Sequence, residues 1–272
     1  MTNPSPLRYP GGKQRAVSRI LPLIPEGTKT LYSPFFGGGS VELAWAAENP
    51  DGQVIGRDIF KPLVNFWKVA LSNRCYVAAD VAKSQFYPLE REMFYNLQKL
   101  LRNGKAVLDV NDAARFFTVN RASFSGATLS GGMGTGDRFS LNAINKLRRF
   151  KAPNVKVRKA DAFDFLRRRI DKFKKEDAFI FLDPPYYLGT ASKLYGNQGD
   201  THTGFDHRRL RDILTMLDNE GVKWMMTYNN CPDIHKLYRD FRRQPSEWKY
   251  GMSTNKNGKE LFIFSNSMSR KN

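Results

Sequence analysis

The chain has 272 residues and is 41% hydrophobic, enough for one large domain or a domain with an insertion, and too apolar for a disordered chain. Its 44 Lys and Arg stand against 26 Asp and Glu, a net charge of +18 that points to a polyanionic partner rather than to ordinary solubility charge. Cys75 and Cys231 are the only cysteines, which excludes a disulfide framework and a cysteine zinc site, and no apolar run approaches membrane-spanning length.

The opening segment, Met1–Pro6, has no apolar signal core. With the cysteine usage, this predicts a protein that is not secreted and works in a reducing, cytoplasmic setting, either its own cell's or, for a viral chain, the host's. Leu7–Lys13 reads as a turn. A helical pattern through Val17, Ile20 and Leu21 follows and is stopped by Pro22 and Pro25. Thr30–Tyr32 reads as a short strand that runs into Ser33-Pro34-Phe35-Phe36-Gly37-Gly38-Gly39-Ser40 and a helix over Val41–Ala47. Gln53–Arg57 is a second strand, ending at Asp58. From Pro62 to Phe150 the pattern turns helical, with Phe94, Leu97, Leu100 and Leu101 in phase. Inside it, Ser123–Gly136 is Gly/Ser-rich and carries no core pattern.

Strand–helix alternation resumes with Val155–Arg158, leading to Asp161, and a helix over Phe163–Phe173. Ala178–Leu182 is an apolar run of buried-strand type that opens into Asp183-Pro184-Pro185-Tyr186. A polar loop over Gly189–Gly204 precedes a helix with Phe205, Leu210, Ile213, Leu214 and Leu217 on one face. Val222–Tyr228 is a strand, Ile234–Phe241 a helix and Leu261–Phe264 a last strand. Repeated β–α units predict an α/β fold: a mostly parallel, Rossmann-like sheet with helices on both faces. Residues 1–61 and 151–272 form that framework, and 62–150 a small, mainly helical insertion.

Four constellations carry chemistry. Asp183–Tyr186 follows a strand end, where ligands of open α/β sheets bind. Two prolines stiffen the turn and leave carbonyls without neighbouring N–H groups. An acid, free acceptors and an aromatic ring suit a flat group with an amino substituent, such as a nucleobase; a Pro-Pro turn with a capping Asp is the alternative. Gly37-Gly38-Gly39 lies between strand and helix without the G-x-G-x-x-G spacing, and Asp58 ends the next strand, where an acid bonds ribose hydroxyls. The pair suits an adenosine-containing cofactor, or else a tight turn and a helix cap. Asp161, past a third strand end, suits an adenine amine, a cap for the next helix, or both. Lys13 follows a Gly-Gly turn and offers a point charge to a carboxylate or phosphate, or else stands on a solvated turn.

The insertion supplies the fourth. Arg121, Arg138, Lys146, Arg148 and Arg149 are interleaved with Phe117, Phe124 and Phe139, a mixture that suits nucleic-acid backbone contact and insertion between bases. Phe117 reads as core, Phe124 as functional. His202 and His207 flank Asp206, which reads as a helix cap, and no metal site is expected.

In order, these segments resemble the DNA adenine-N6 methyltransferases of the Dam type over most of the chain. Leu7–Lys13 is similar to that family's N-terminal motif, and Pro34–Gly39 to its F-x-G-G loop. Asp183–Tyr186 is similar to its D-P-P-Y motif, and Phe205–Leu210 to its F-x-x-H-x-x-L helix. Tyr228–Asn230 and Glu260–Asn266 resemble its closing segments. The resemblance implies S-adenosylmethionine as methyl donor and N6 of a flipped adenine in double-stranded DNA as acceptor. It implies Asp183, Pro184, Pro185 and Tyr186 as catalytic. Tyr9, Lys13, Pro34, Phe35, Phe36, Gly37, Gly38, Gly39, Asp58, Asp161 and Asp183 would hold the donor, with Lys13 on its carboxylate, Asp58 on its ribose and Asp161 on its adenine. Arg121, Ser123, Phe124, Ser125 and Arg138 would meet DNA. GATC-specific relatives carry an R-x-x-F-N-G-x-x-R-like run. Here Ser125 replaces the Asn and Leu129 stands where an Arg would, so adenine methylation is implied and GATC specificity is not. RNA methylation and a catalytically silent DNA-binding module are the alternatives.

Overall fold

The computed structural model describes residues 5–103, 109–187, 204–249 and 257–268. A 3-10 turn (Lys13–Arg15) and α1 (Val17–Ile20) lead to β1 (Thr30–Ser33), α2 (Ser40–Glu48) and β2 (Gln53–Asp58). Four longer helices follow: α3 (Lys61–Ala70), α4 (Cys75–Phe86), α5 (Arg91–Asn103) and α6 (Val110–Ala122), then α7 (Leu141–Arg148). The chain returns through β3 (Val155–Lys159), α8 (Ala162–Arg167), α9 (Ile170–Phe173) and β4 (Ala178–Leu182). It closes with α10 (His207–Asn219), β5 (Trp224–Asn229), α11 (Pro232–Leu237), β6 (Arg242–Lys249) and β7 (Asn257–Phe264).

Among the described residues one sheet forms, in the order β3-β2-β1-β4-β5-β7-β6. The first five strands in that order are parallel, and β7 and β6 add an antiparallel hairpin. In β4 every residue is buried because both faces are covered. Phe179 and Phe181 face the cluster that contains α2, α3 and the insertion helices, while Ile180 and Leu182 face the cluster beneath α8 to α11. Period-two alternation thus delivers one apolar run to two cores.

Insertion and framework share the first of those cores. On α3, Trp67 packs edge-on to Phe36 at 5.2 Å, and Phe66 stacks on Phe117 of α6 at 6.3 Å. Helix α3 therefore belongs to both units, and the predicted boundary at residue 62 falls inside it.

Several elements differ from expectation. The expected helix over Phe163–Phe173 is two short ones, α8 and α9, with Arg169 non-helical between them at φ −133°, ψ 21°. The break returns Phe173 to Phe165, 5.7 Å away, and to Tyr32 at 4.8 Å. Strand β6 carries no alternating signal because it is an edge strand with Pro245 and charged residues, as exposed edges tolerate. The last helix ends at Leu237 rather than Phe241. Much of Ser123–Gly136 is packed rather than free of core: Ser123, Gly126, Ala127, Thr128 and Leu129 are buried. Gln98 Nε2 donates to the Thr128 and Gly131 carbonyls, both at 2.8 Å, and Asn120 Nδ2 to Gly126 O at 3.2 Å and Thr128 Oγ1 at 3.0 Å. Two buried amides thus satisfy the loop's polar atoms, which composition alone does not reveal. The loop expected over Gly189–Gly204, apart from Gly204, and His202 lie outside the described residues. No described helix is long and apolar enough to cross a membrane.

Candidate active site

Strand β1 connects onward to β2 on one side, while β4 leads to β5 on the other. The carboxyl ends of β1 and β4 therefore flank a topological switch point, where open α/β sheets form their crevice. A pocket of about 350 Å³ lies there. Tyr9 and Lys13, the Pro34–Gly39 loop, Asp58, Asp161 and the whole of Asp183–Tyr186 line it. Segments far apart in sequence thus meet at one place because four parallel strands, β1 to β4, end on the same rim.

The glycine loop is held from below. Asp58 is buried at the end of β2, and its two oxygens accept the Gly37 and Phe60 N–H groups, both at 2.9 Å. Burial raises its pKa, against the pull of those N–H groups. Trp67 Nε1 donates to the Gly37 carbonyl at 2.9 Å. Gly39, which precedes α2, sits at φ 65°, a left-handed conformation that costs other residues about 1–2 kcal/mol. A Cβ on Gly38 would lie 2.7 Å from Tyr9 Cβ, so only glycine lets the loop pass Tyr9. Phe36 is 2% exposed and its ring supports the loop from the core. Phe35, Phe163 and Phe205 form an aromatic wall beside Asp161, with ring centroids 5.4–5.6 Å apart at Phe205. Asp161 Oδ1 accepts the Asp164 N–H at 3.0 Å, so it caps α8 while lining the pocket. Asp206 likewise caps α10.

At the opposite end, Lys13 is 3% exposed and bridges both oxygens of Asp183, at 2.8 and 3.0 Å. The same ammonium donates to Gly11 O at 2.8 Å and lies 4.7 Å from the centre of the Tyr186 ring. It is therefore seated on Asp183 in this structure, where the family resemblance implies a donor carboxylate. Asp183 Oδ1 also accepts from Thr227 Oγ1 of β5 at 2.7 Å. Tyr187 is fixed by Asn229, which accepts its N–H at 3.0 Å and donates to its carbonyl at 2.8 Å.

Two carboxyls here escape a sequence reading. Glu42 lines the pocket, is buried on α2, and accepts from Ser33 Oγ at 2.6 Å. Glu260 of β7 accepts from the Tyr186 hydroxyl. In sequence Glu42 looks like an ordinary first-turn helix acid and Glu260 like a polar residue at a strand's start; only burial marks them. Burial raises both pKa values from 4.5 to about 7. For Glu42 the folded chain therefore holds its proton to higher pH than the unfolded chain does. The stability this contributes is complete below about pH 4.5 and is lost as pH rises through about 7. Glu42→Gln should flatten the fall in unfolding free energy between about pH 5 and pH 8, by up to about 3 kcal/mol. Urea denaturation at the two pH values measures it; an unchanged slope would refute a buried, protonating Glu42.

The insertion presents a second feature. A groove of about 670 Å³ is lined by Arg8, Arg121, Arg138, Lys146 and Arg149, with no acidic side chain among its described lining residues. It shares Tyr9, Gly12 and Ser40 with the first pocket. Arg121 donates through Nε to Arg138 O at 3.0 Å, and its pKa is lowered to about 10, first by burial and then by Arg8 and Arg138. Arg8 carries no signal of this place in the sequence. Its backbone pairs with Asn120 at 2.9 and 2.7 Å, and its guanidinium donates to the Arg121 and Ser123 carbonyls. Of the residues expected to meet DNA, Phe124 is 67% exposed and Ser125 holds φ 59°, rare for a residue with a side chain. Ser123 differs: it is fully buried, and its hydroxyl donates to Asn120 O at 3.0 Å, so that side chain serves the loop's interior. Among the described residues no cluster of three His, Cys, Asp or Glu forms a metal site.

The chain is similar to several known proteins. The chain is 25% identical over 256 residues to the type II methyltransferase M1.LlaDCHI of Lactococcus lactis subsp. cremoris, covering 86% of this chain and 84% of that protein. It is 27% identical over 252 residues to the DNA N-6-adenine-methyltransferase of Escherichia phage P1, covering 88% of this chain and 32% of the relative. With the modification methylase StsI of Streptococcus sanguinis the identity is 23%, over 82% of this chain and 35% of the relative. Among solved structures, an rRNA methyltransferase, aviRa, from Streptomyces viridochromogenes aligns with a TM-score of 0.39 and 13% identity, over 95% of this chain and 86% of that one. The model of the D12 class N6 adenine-specific DNA methyltransferases matches residues 9–252, from Tyr9 through the glycine loop and Asp183–Tyr186, and the chain belongs to that family.

Proposed function

We propose that the pocket binds S-adenosylmethionine and that an adenine swung out of duplex DNA meets it at Asp183–Tyr186. The observation that carries this reading is the convergence of the glycine loop, Asp58, Asp161 and Asp183–Tyr186 on one crevice at the switch point. The donor fits a pocket lined by acids in a basic protein: its sulfonium and ammonium are cationic, and Asp58, Asp161 and Asp183 line the space. When bound, it supplies a methyl group already activated on sulfur.

The chain's own residues supply orientation and electrostatics. Asp58 would accept from the ribose hydroxyls and Asp161 from the donor's adenine amine, with the Phe35, Phe163 and Phe205 rings beside it. Asp183 and the Pro184 carbonyl accept the two N6 hydrogens of the target adenine, drawing the nitrogen lone pair out of conjugation. Pro185 holds the turn that aims that carbonyl, and Tyr186 stacks on the base. Lys13 would hold the donor's carboxylate, and in turning to it would release Asp183 for N6. Extruding the base costs a few kcal/mol of stacking and pairing. The arginine groove takes the phosphates of the same strand, and Phe124 enters the base stack. A chain that modifies DNA in this way works inside a cell.

Incubation with a labelled donor and duplex DNA, single-stranded DNA or RNA tests the reading. N6-methyladenine in hydrolysed duplex DNA, located by sequencing, is the expected product. Label confined to RNA would overturn the substrate, and absence of donor binding by calorimetry would favour a silent DNA-binding module.

A further inference from the structure

Glu260 sits on β7, opposite Asn229 of β5 and two strands from β4 in the sheet. It is 1% exposed. Its Oε2 accepts from the Tyr186 hydroxyl, while its Oε1 has no hydrogen-bond partner among the described residues. A buried carboxyl oxygen without a partner destabilises a fold, and native proteins retain few such groups without a local reason. Strand pairing supplies none, since the backbone ladder between β5 and β7 forms with any residue at this position.

The reason lies at the other end of the bond. A tyrosine ring turns broadly about its last torsion. Pro184 and Pro185 fix the backbone that carries Tyr186 but leave that torsion open. The hydroxyl oxygen lies on the axis of that torsion, so the bond to Glu260 fixes where the ring axis points, and because a phenolic O–H prefers the plane of its ring the bond also biases the ring's rotation. Around the ring, Tyr228 lies near-parallel at 5.9 Å and 22°, and Lys13 lies 4.7 Å from its centre. The groups whose charge reaches Glu260 are Lys13 and Asp183.

We propose that Glu260 is a positioning residue that, through the Tyr186 hydroxyl, anchors the position and tilt of the ring against which the target adenine stacks. It rests on the adenine reading above. Glu260 touches neither donor nor base; it sets the angle at which N6 meets the methyl group.

The test is steady-state kinetics on duplex DNA with Glu260→Ala, Glu260→Gln, Tyr186→Phe and the Glu260→Ala/Tyr186→Phe double variant. Calorimetric donor binding and melting temperature are measured alongside. Glu260→Ala should lower kcat about 10- to 100-fold, the scale of a small misplacement, with donor affinity held within about twofold. Glu260→Gln keeps a carbonyl acceptor and should recover most of the rate. In the Tyr186→Phe background, Glu260→Ala should add nothing, because the link is already cut. A folded Glu260→Ala with wild-type kcat overturns the proposal, as does an equal further loss in the Tyr186→Phe background. If Glu260→Ala fails to fold, Tyr186→Phe alone decides, since it breaks the same bond and leaves Glu260 in place. A wild-type protein that leaves adenine unmethylated overturns the adenine reading instead.

Discussion

Asp183→Ala should lower methyl transfer by about 10²- to 10³-fold or more, the cost of losing a group aimed at charge that develops in the reaction. On the reading proposed above, the substitution removes an acceptor for an N6 hydrogen. It also takes from Lys13 the carboxylate it holds at 2.8 Å, while the buried ammonium keeps its bond to the Gly11 carbonyl and its place over the Tyr186 ring. Removing one partner of a buried pair can itself destabilise, and the 23% exposure of Asp183 moderates that effect here. Asp183→Asn separates the two, because it preserves shape and the contact with Thr227. Both variants should fold by melting temperature and bind duplex DNA normally, while single-turnover transfer collapses. A folded Asp183→Ala that methylates at a near-normal rate would show that the turn does not hold the amine.

The Arg121→Ala/Arg138→Ala double variant should show the next largest effect. The two arginines and Arg8 share one groove, where burial first and the neighbouring charges second lower the Arg121 pKa to about 10; a polyanion relieves the like-charge part. Arg121 remains charged at neutral pH. Each phosphate left without its arginine should reduce the slope of log affinity against log salt by about 1, so the double variant should lose about 2. Near physiological salt, DNA affinity should fall by about 10- to 100-fold. The KM for DNA should rise with little change in kcat, the sign of weakened uniform binding, and donor affinity should hold. Fluorescence anisotropy over a salt series measures it. An unchanged slope would move the phosphate path elsewhere.

Local patterns carry much of the fold. Ala178–Leu182 reads as a strand because both its faces are apolar, and α10 because Leu210, Ile213, Leu214 and Leu217 recur at helical spacing. Strand β6 is hidden because an exposed edge asks for charges and tolerates proline, which erases alternation. The packed state of Ser123–Gly136 is hidden because Gln98 and Asn120, two ordinary polar residues on helices, satisfy it from a distance. The same cause hides the interior place of Ser123, which its sequence neighbours present as a surface residue facing DNA.

By itself the sequence determined the parts of the site that occupy strand ends and turns: the glycine loop, Asp58, Asp161 and Asp183–Tyr186. Their residue types and order are constrained locally, by φ, by proline and by the alternation of strands and helices. It also determined the charge that calls for a polyanion. Only the tertiary structure decided that Lys13 sits on Asp183, that Glu42 and Glu260 are buried beside them, and that Arg8 joins the insertion's arginines. Those relations join residues as far as 170 positions apart. They depend on burial and on which strands lie side by side, and neither property is local to any stretch of the chain.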